Sequence, residues 1–186
     1  NVAIHKITFI MYILLWLVNV YADINPNQLS SMIVKDETLI APGIGASSML
    51  IGMSEDEILY VKGKPFEKTK NVNHDFLKDV LWVKSKFQLP FNYLYIYKNP
   101  YVIIGVNKGR VSFIVVWGSS GVLVNGVRLS KGIMAILFHY GNENLQIIED
   151  VHGSIFMYTE QGIAIFDENS DNFVDAVIVF RPFPNT

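Results

Sequence analysis

A chain of 186 residues with 51% hydrophobic and 17% charged side chains can bury a full core, which argues against intrinsic disorder. Its net charge of -2, from 15 basic and 17 acidic residues, argues against an extended nucleic-acid surface, so nucleic acid is not an expected partner. The chain has no cysteine, which excludes disulfides, a thiolate nucleophile and cysteine metal ligands.

Residues 7–22 form an apolar run behind His5 and Lys6 and stop at a polar boundary, Asp23 to Asn27. A basic flank, an apolar stretch and the small residues Val20 and Ala22 make a signal peptide cut before Asp23. As a helix this run of about 16 residues is only ~24 Å long, against a bilayer core of ~30 Å. As an uncleaved anchor it must therefore recruit Ala3 and Ile4, with Lys6 snorkelling. Both readings make residues 1–22 a signal or anchor, with the folded part exported, either periplasmic or membrane-anchored. A buried globular helix is the third reading.

Residues 23–42 read as a linker or irregular lead-in, with a short helix over 27–34. Gly43-Ile44-Gly45-Ala46-Ser47-Ser48 lacks the lysine of a phosphate loop and predicts a turn with positive-φ positions. A helix follows over 54–62. Ser54 and Glu57 have the spacing of a capping box, Glu55 and Asp56 suit the positive end of the dipole, and Gly63 and Pro65 stop the helix.

Residues 76–87 fit a helix or the start of a strand. Beyond them, 93–97, 101–106 and 110–117 are rich in β-branched and aromatic residues and are separated by Asn99-Pro100 and Asn107-Lys108-Gly109, an antiparallel meander. A short strand at 122–124 precedes a second helix over 131–140, which Leu129-Ser130 opens with Ser130 as its cap. Strands at 145–151, 154–158, 162–166 and 173–181 complete the chain.

The order is helix then strands, twice. It predicts an α+β fold, a two-layer antiparallel sheet with short helices, divided into tandem repeats at 43–117 and 118–186. The pattern over residues 52–65, Gly52-Met53-Ser54 through Glu57-Ile58 to Gly63 and Pro65, resembles the repeated helix of bacterial SmpA/OmlA-type envelope assembly lipoproteins and the tandem architecture of β-lactamase inhibitor proteins. The resemblance covers about 14 residues well. It implies an envelope location and protein–protein contact, with no catalytic residues to carry over. The lipidated cysteine of such lipoproteins has no counterpart, since Asp23 stands at its place.

Chemistry is sparse. His5, His74, His139 and His152 lack metal-ligand spacing, so no metal and no cofactor is expected. Gly118-Ser119-Ser120-Gly121 is not a nucleophile elbow. Tyr93, Tyr95 and Tyr97 share one face of a strand and, with Tyr101, form a candidate interaction surface; the other reading buries that face in the sheet core. The function expected first is a non-enzymatic envelope accessory, assembly or scaffold subunit acting on an envelope or membrane protein. A soluble envelope domain binding a soluble or cell-wall ligand in the groove between the repeats comes second, and a small hydrolase with a site assembled from distant residues third.

Overall fold

Asn25 opens the first helix, α1 (Pro26–Lys35), by accepting the Asn27 amide on its side chain, with Pro26 in the first turn, where its missing N–H costs nothing. The computed structural model describes residues 25–70, 89–150 and 153–183. The signal or anchor segment 1–22, the ambiguous stretch 76–87 and His5, His74 and His152 lie outside them.

After α1 come three short strands, β1 (Leu39–Ala41), β2 (Gly45–Ala46) and β3 (Met49–Leu50). Ser47 and Ser48 between β2 and β3 take positive φ, as the glycine-rich loop predicts. Helix α2 (Glu55–Lys62) then forms with its capping box complete: Ser54 Oγ accepts the Glu57 amide while the Glu57 carboxylate accepts the Ser54 amide. Strands β4 (Glu67–Thr69), β5 (Tyr93–Lys98), β6 (Tyr101–Asn107) and β7 (Arg110–Trp117) follow. Strand β8 (Val122–Leu123), a 3-10 turn at Leu129–Lys131 and α3 (Ile133–Tyr140) lead to β9 (Leu145–Asp150), β10 (Gly153–Tyr158), β11 (Ile163–Glu168) and β12 (Ala176–Phe180).

The main sheet has eight strands in the order β4-β5-β6-β7-β12-β11-β10-β9, every neighbour antiparallel. Each half of the chain supplies a four-stranded meander. The two meet at the central pair β7–β12, where Phe113 faces Phe180 and Trp117 faces Ala176. The β6–β7 hairpin turns on Lys108 and Gly109, both at positive φ (50° and 73°), as a two-residue hairpin matched to strand twist requires.

Alternation along these strands makes two cores. One face carries Ile104, Ile114, Val177 and Val179 and packs under Ile58 of α2, Ile133 and Ile136 of α3, and Ile40, Ala46 and Met49 of the small strands. The other buries Ile103, Phe113, Val115, Ile178 and Phe180, with Leu89, Phe91 and Phe183 packed on it. On that face Gly105 is required. A Cβ there would stand 2.2 Å from the Phe113 ring, so the strand carries no side chain where that ring lies flat.

The α+β class and the antiparallel main sheet agree with the sequence reading. A second sheet, β3-β2-β1-β8, is mixed, since β1 and β8 run parallel. Its strands are too short to display a period-two pattern, which is why residues 39–50 read as lead-in and turn. Ser130 is also corrected as a helix cap. It lies within the 3-10 turn, and α3 begins only after Gly132, whose φ of 85° breaks the run.

Candidate functional site

The four tyrosines singled out in the sequence do not share a surface. Tyr93, Tyr95 and Tyr97 point from β5 toward α2, whereas Tyr101 belongs to the opposite face, edge-on to Trp117 at 5.7 Å. Their hydroxyls hold the helix at both ends. Tyr93 and Tyr95 donate to the Glu55 carboxylate, the latter at 2.7 Å, and Tyr97 donates to the Gly63 carbonyl at 3.0 Å. Lys68 lies over the Tyr93 ring, 3.9 Å from its centroid, and 3.5 Å from Glu55 Oε2. Donation from Tyr93 and Tyr95 holds the Glu55 carboxyl below its ordinary value. Burial, then the hydrogen bond to Glu55 and the Glu55 charge, push the Tyr93 phenol up to about 12, and burial does the same to Tyr97. These phenols stay protonated donors at neutral pH and fasten α2 to the sheet.

Ser47 lies beside a lysine. Lys62 Nζ donates to Ser47 Oγ at 3.0 Å, but Ser47 is 1% exposed and Lys62 is also paired with Glu37. A serine–lysine dyad needs an open hydroxyl and an uncharged amine. Here the contact ties the last turn of α2 to the β2–β3 turn. His139 ends α3 on the surface, edge-on to Tyr140.

The β11–β12 connection gathers Asp167, Asp171 and Asp175, whose carboxylate oxygens lie within 4.8 Å of one another. Such oxygens are the donors a hard cation takes. They also have an internal role. Asp167 accepts the Asp171 and Asn172 amides at 3.0 and 3.1 Å, and Asp175 accepts the Glu168 amide at 2.6 Å. Burial raises the pKa of both Asp167 and Asp175 against the pull of those amides. The sequence reading took this stretch as a turn. The alternation Asp167, Asn169, Asp171 was the available sign that the turn is knit by its own carboxylates.

A cavity of about 360 Å³ opens at one rim of the main sheet, where the β6–β7 hairpin and the residues following β12 meet the Ile51–Gly52 turn. Ile51, Leu89, Val111 and Phe183 form its apolar part, and Lys108, Arg110 and Arg181 supply its charge. Arg110 Nη1 donates to the Gly52 carbonyl at 2.9 Å, and Asn92 Oδ1 accepts the Lys108 amide at 2.7 Å, so the hairpin tip is held from both sides. Among the described residues none of the three cations is in an ion pair. Sequence reasoning missed this site because the three lie in two segments far apart in the chain, and Lys108 reads locally as a turn residue.

No family model matches the chain, and no curated protein matches it. Solved structures similar in fold include an extracellular protein containing a SCP domain from Bacillus anthracis, at 12% identity and TM-score 0.44, matched over 70% of this chain and 44% of that one. A DUF4309 family protein from Bacillus subtilis matches at 12% identity and TM-score 0.46, over 84% of this chain and 95% of that one. A cysteine-rich secretory protein from Staphylococcus aureus matches at 11% identity and TM-score 0.40, over 76% of this chain and 48% of that one. The chain thus spans less than half the length of two of these proteins.

The resemblance to SmpA/OmlA-type assembly proteins with β-lactamase-inhibitor-like architecture does not hold, since no family model matches the chain. The residues that carried it, Ser54, Glu57 and Gly63, are consumed in capping α2, so they mark a helix and not a family. Among the described residues no helix is long and apolar enough to cross a membrane.

Proposed function

We propose that the chain is an exported, non-catalytic domain that binds a small ligand in the rim cavity at the junction of its two halves. The observation that carries this reading is the cavity itself, which combines an apolar wall with three cations that, among the described residues, no carboxylate pairs. A cavity of this volume lies at the small end of the range that ligand sites occupy. It is a feature suited to a binding domain, whereas a scaffold subunit would act through a broad apolar surface. The apolar run at residues 7–22 supports export.

Two measurements test it. Screening the full chain with a small-molecule library by amide chemical-shift mapping should give hits whose perturbations centre on Ile51, Gly52, residues 107–112 and Arg181. Hits that map elsewhere, or a screen with none, reject the binding site. Intact-mass measurement of the native protein should place it outside the cytoplasm, either starting at Asp23 or retaining residues 7–22 in the membrane fraction. Recovery from the cytoplasm rejects export.

A further inference from the structure

We infer that the ligand of the rim cavity is an amphipathic organic anion, with a carboxylate or phosphate head held by Lys108, Arg110 and Arg181 and a short hydrocarbon or aryl tail lying against the apolar wall. The inference rests on the cavity being a binding site and adds the chemistry of what enters it.

The charge argument begins with the overall balance. The chain is net negative, with 17 acidic against 15 basic residues, yet among the described residues this cavity is lined by three cations and no acid. Two carboxylates in the first turn of α2 are already engaged. Glu55 accepts from Tyr93 and Tyr95 and pairs with Lys68. Glu57 closes the capping box with Ser54, and the field of Arg110 is the weakest of the influences on it. Lys108, Arg110 and Arg181 are exposed, so solvent screens their mutual repulsion, and a bound anion gains by meeting all three together.

The donors are also placed. Arg110 spends one N–H on the Gly52 carbonyl, which fixes the guanidinium while its other donors stay free for a planar anion. Lys108 is projected by a hairpin tip whose positive φ and amide bond to Asn92 set its direction. Arg181 leaves the sheet beside Ser112, directly after the Phe113–Phe180 pair. The Ser112 proton is spent on the Gly105 carbonyl, so the positive charge and not the hydroxyl selects the head.

The apolar part fixes the rest of the ligand. Ile51, Leu89, Val111 and Phe183 offer hydrocarbon with no unsatisfied polar atom among them. An inorganic anion would leave that wall wet, and a neutral hydrocarbon would leave the cations uncompensated. A molecule with both parts satisfies both. Each buried methylene should tighten binding about fourfold, so affinity should climb with chain length until the cavity is full.

The test uses the full chain and four probes followed by calorimetry and amide shifts: octanoate, octyl phosphate, octanol and acetate. Octanoate or octyl phosphate should bind in the cavity at least tenfold more tightly than octanol or acetate, and more weakly as salt is raised. The double substitution Lys108→Gln with Arg181→Gln should weaken the anionic probe at least tenfold and leave octanol unchanged. Arg110→Lys, which keeps the charge but loses the fixed fork, should weaken it less. Unchanged amide spectra outside the cavity check that each variant is folded.

Equal binding of octanoate and octanol overturns the anionic head while leaving the binding domain in place. So does failure of both anionic probes when library hits still map to the cavity. An empty screen with no probe bound rejects the binding-domain reading as well. A comparison of free octyl phosphate with vesicles of anionic phospholipid separates a soluble amphiphile from a lipid headgroup. The inference requires the soluble probe to bind, and binding to vesicles alone overturns it.

Discussion

Asn172 caps a helix that lies far before it in the chain: its Oδ1 accepts the amide of Met134, 38 residues earlier, at 3.0 Å, and its backbone carbonyl accepts the Ile133 amide at 3.1 Å. Two orphan donors at the start of α3 are thereby satisfied from the β11–β12 connection, in place of the local cap that the sequence suggested at Ser130. The fit is close, for a Cβ on Gly132 would stand 2.6 Å from the Asn172 carbonyl oxygen. Asn172 adopts φ 70°, and its own amide is held by Asp167. The acidic loop therefore acts through Asn172 on the helix.

Asn172→Ala should destabilise the domain by about 1–2 kcal/mol, the cost of a lost cap plus an alanine at positive φ. Asn172→Asp keeps the acceptor and should lose much less. Urea unfolding followed by circular dichroism separates them. Equal losses in the two variants would mean that the side-chain bond to Met134 contributes nothing.

Acid should act on this fold in two opposed ways. Donation from the Ser54 amide and then its hydroxyl holds the Glu57 carboxyl below its ordinary value of 4.5. A carboxyl whose folded pKa is depressed adds stability above its unfolded pKa, and that stability is lost as pH falls through the folded value. Asp175 has the reverse sign, since burial lifts it above 3.8. Its ionisation costs stability as pH rises through the folded value, and the cost vanishes below 3.8. Glu57→Gln should therefore flatten the fall in urea midpoint below pH 4.5. Asp175→Asn should be neutral or stabilising at pH 7, with its difference from the parent closing as pH drops toward 3.8. A gap that widens on acidification would reverse the sign assigned to Asp175.

Much of the fold was legible where one segment carries its own signal. Arg110–Trp117 has the predicted bounds because turn residues flank a β-branched run, and the Ser54–Glu57 box needs only residues three apart. The two-residue strands β2 and β3 carried no such signal, and β4 had too little β-branched character to stand out. The α3 cap and the rim cavity were illegible for a different reason. Lys108 and Arg181 are brought together only by the β7–β12 pairing, and Asn172 meets Met134 only once α3 lies against the β11–β12 connection. The tyrosine ladder was legible as a face but not as to what covers it, because the residues that meet its hydroxyls, Glu55 and Gly63, lie on α2.

Gly105→Ala tests the contact between β6 and the second core. The added Cβ would stand 2.2 Å from Phe113 Cε1, and a ring interlocked with Phe91 and the central strands has little room to withdraw. Overpacking of this kind costs about 1–3 kcal/mol. Phe113→Leu alone should also destabilise, by loss of buried area. Combined with Gly105→Ala it should cost less than the sum of the two, because the smaller side chain vacates the space the methyl needs. A double-mutant cycle of thermal or urea stabilities reads the coupling, and strict additivity would show that the two positions do not share that space.

Helix α3 is apolar over its first six residues, Ile133-Met134-Ala135-Ile136-Leu137-Phe138, yet its two sides should respond to substitution in opposite ways. Ile136 is 0% exposed and belongs to the core beneath the helix, whereas Phe138 is 93% exposed. Ile136→Ala removes buried methylenes and leaves a cavity, so it should cost about 2–5 kcal/mol. Phe138→Ser gives up almost no buried area and should change stability by about 0.5 kcal/mol or less. It also removes an exposed aromatic beside Met134, and Phe173 on the neighbouring loop is exposed too, so self-association at high concentration should fall. Sedimentation of the parent and the Phe138→Ser variant at matched concentrations measures that change. A Phe138→Ser variant as unstable as Ile136→Ala would mean that the outer side of α3 is covered in the folded protein.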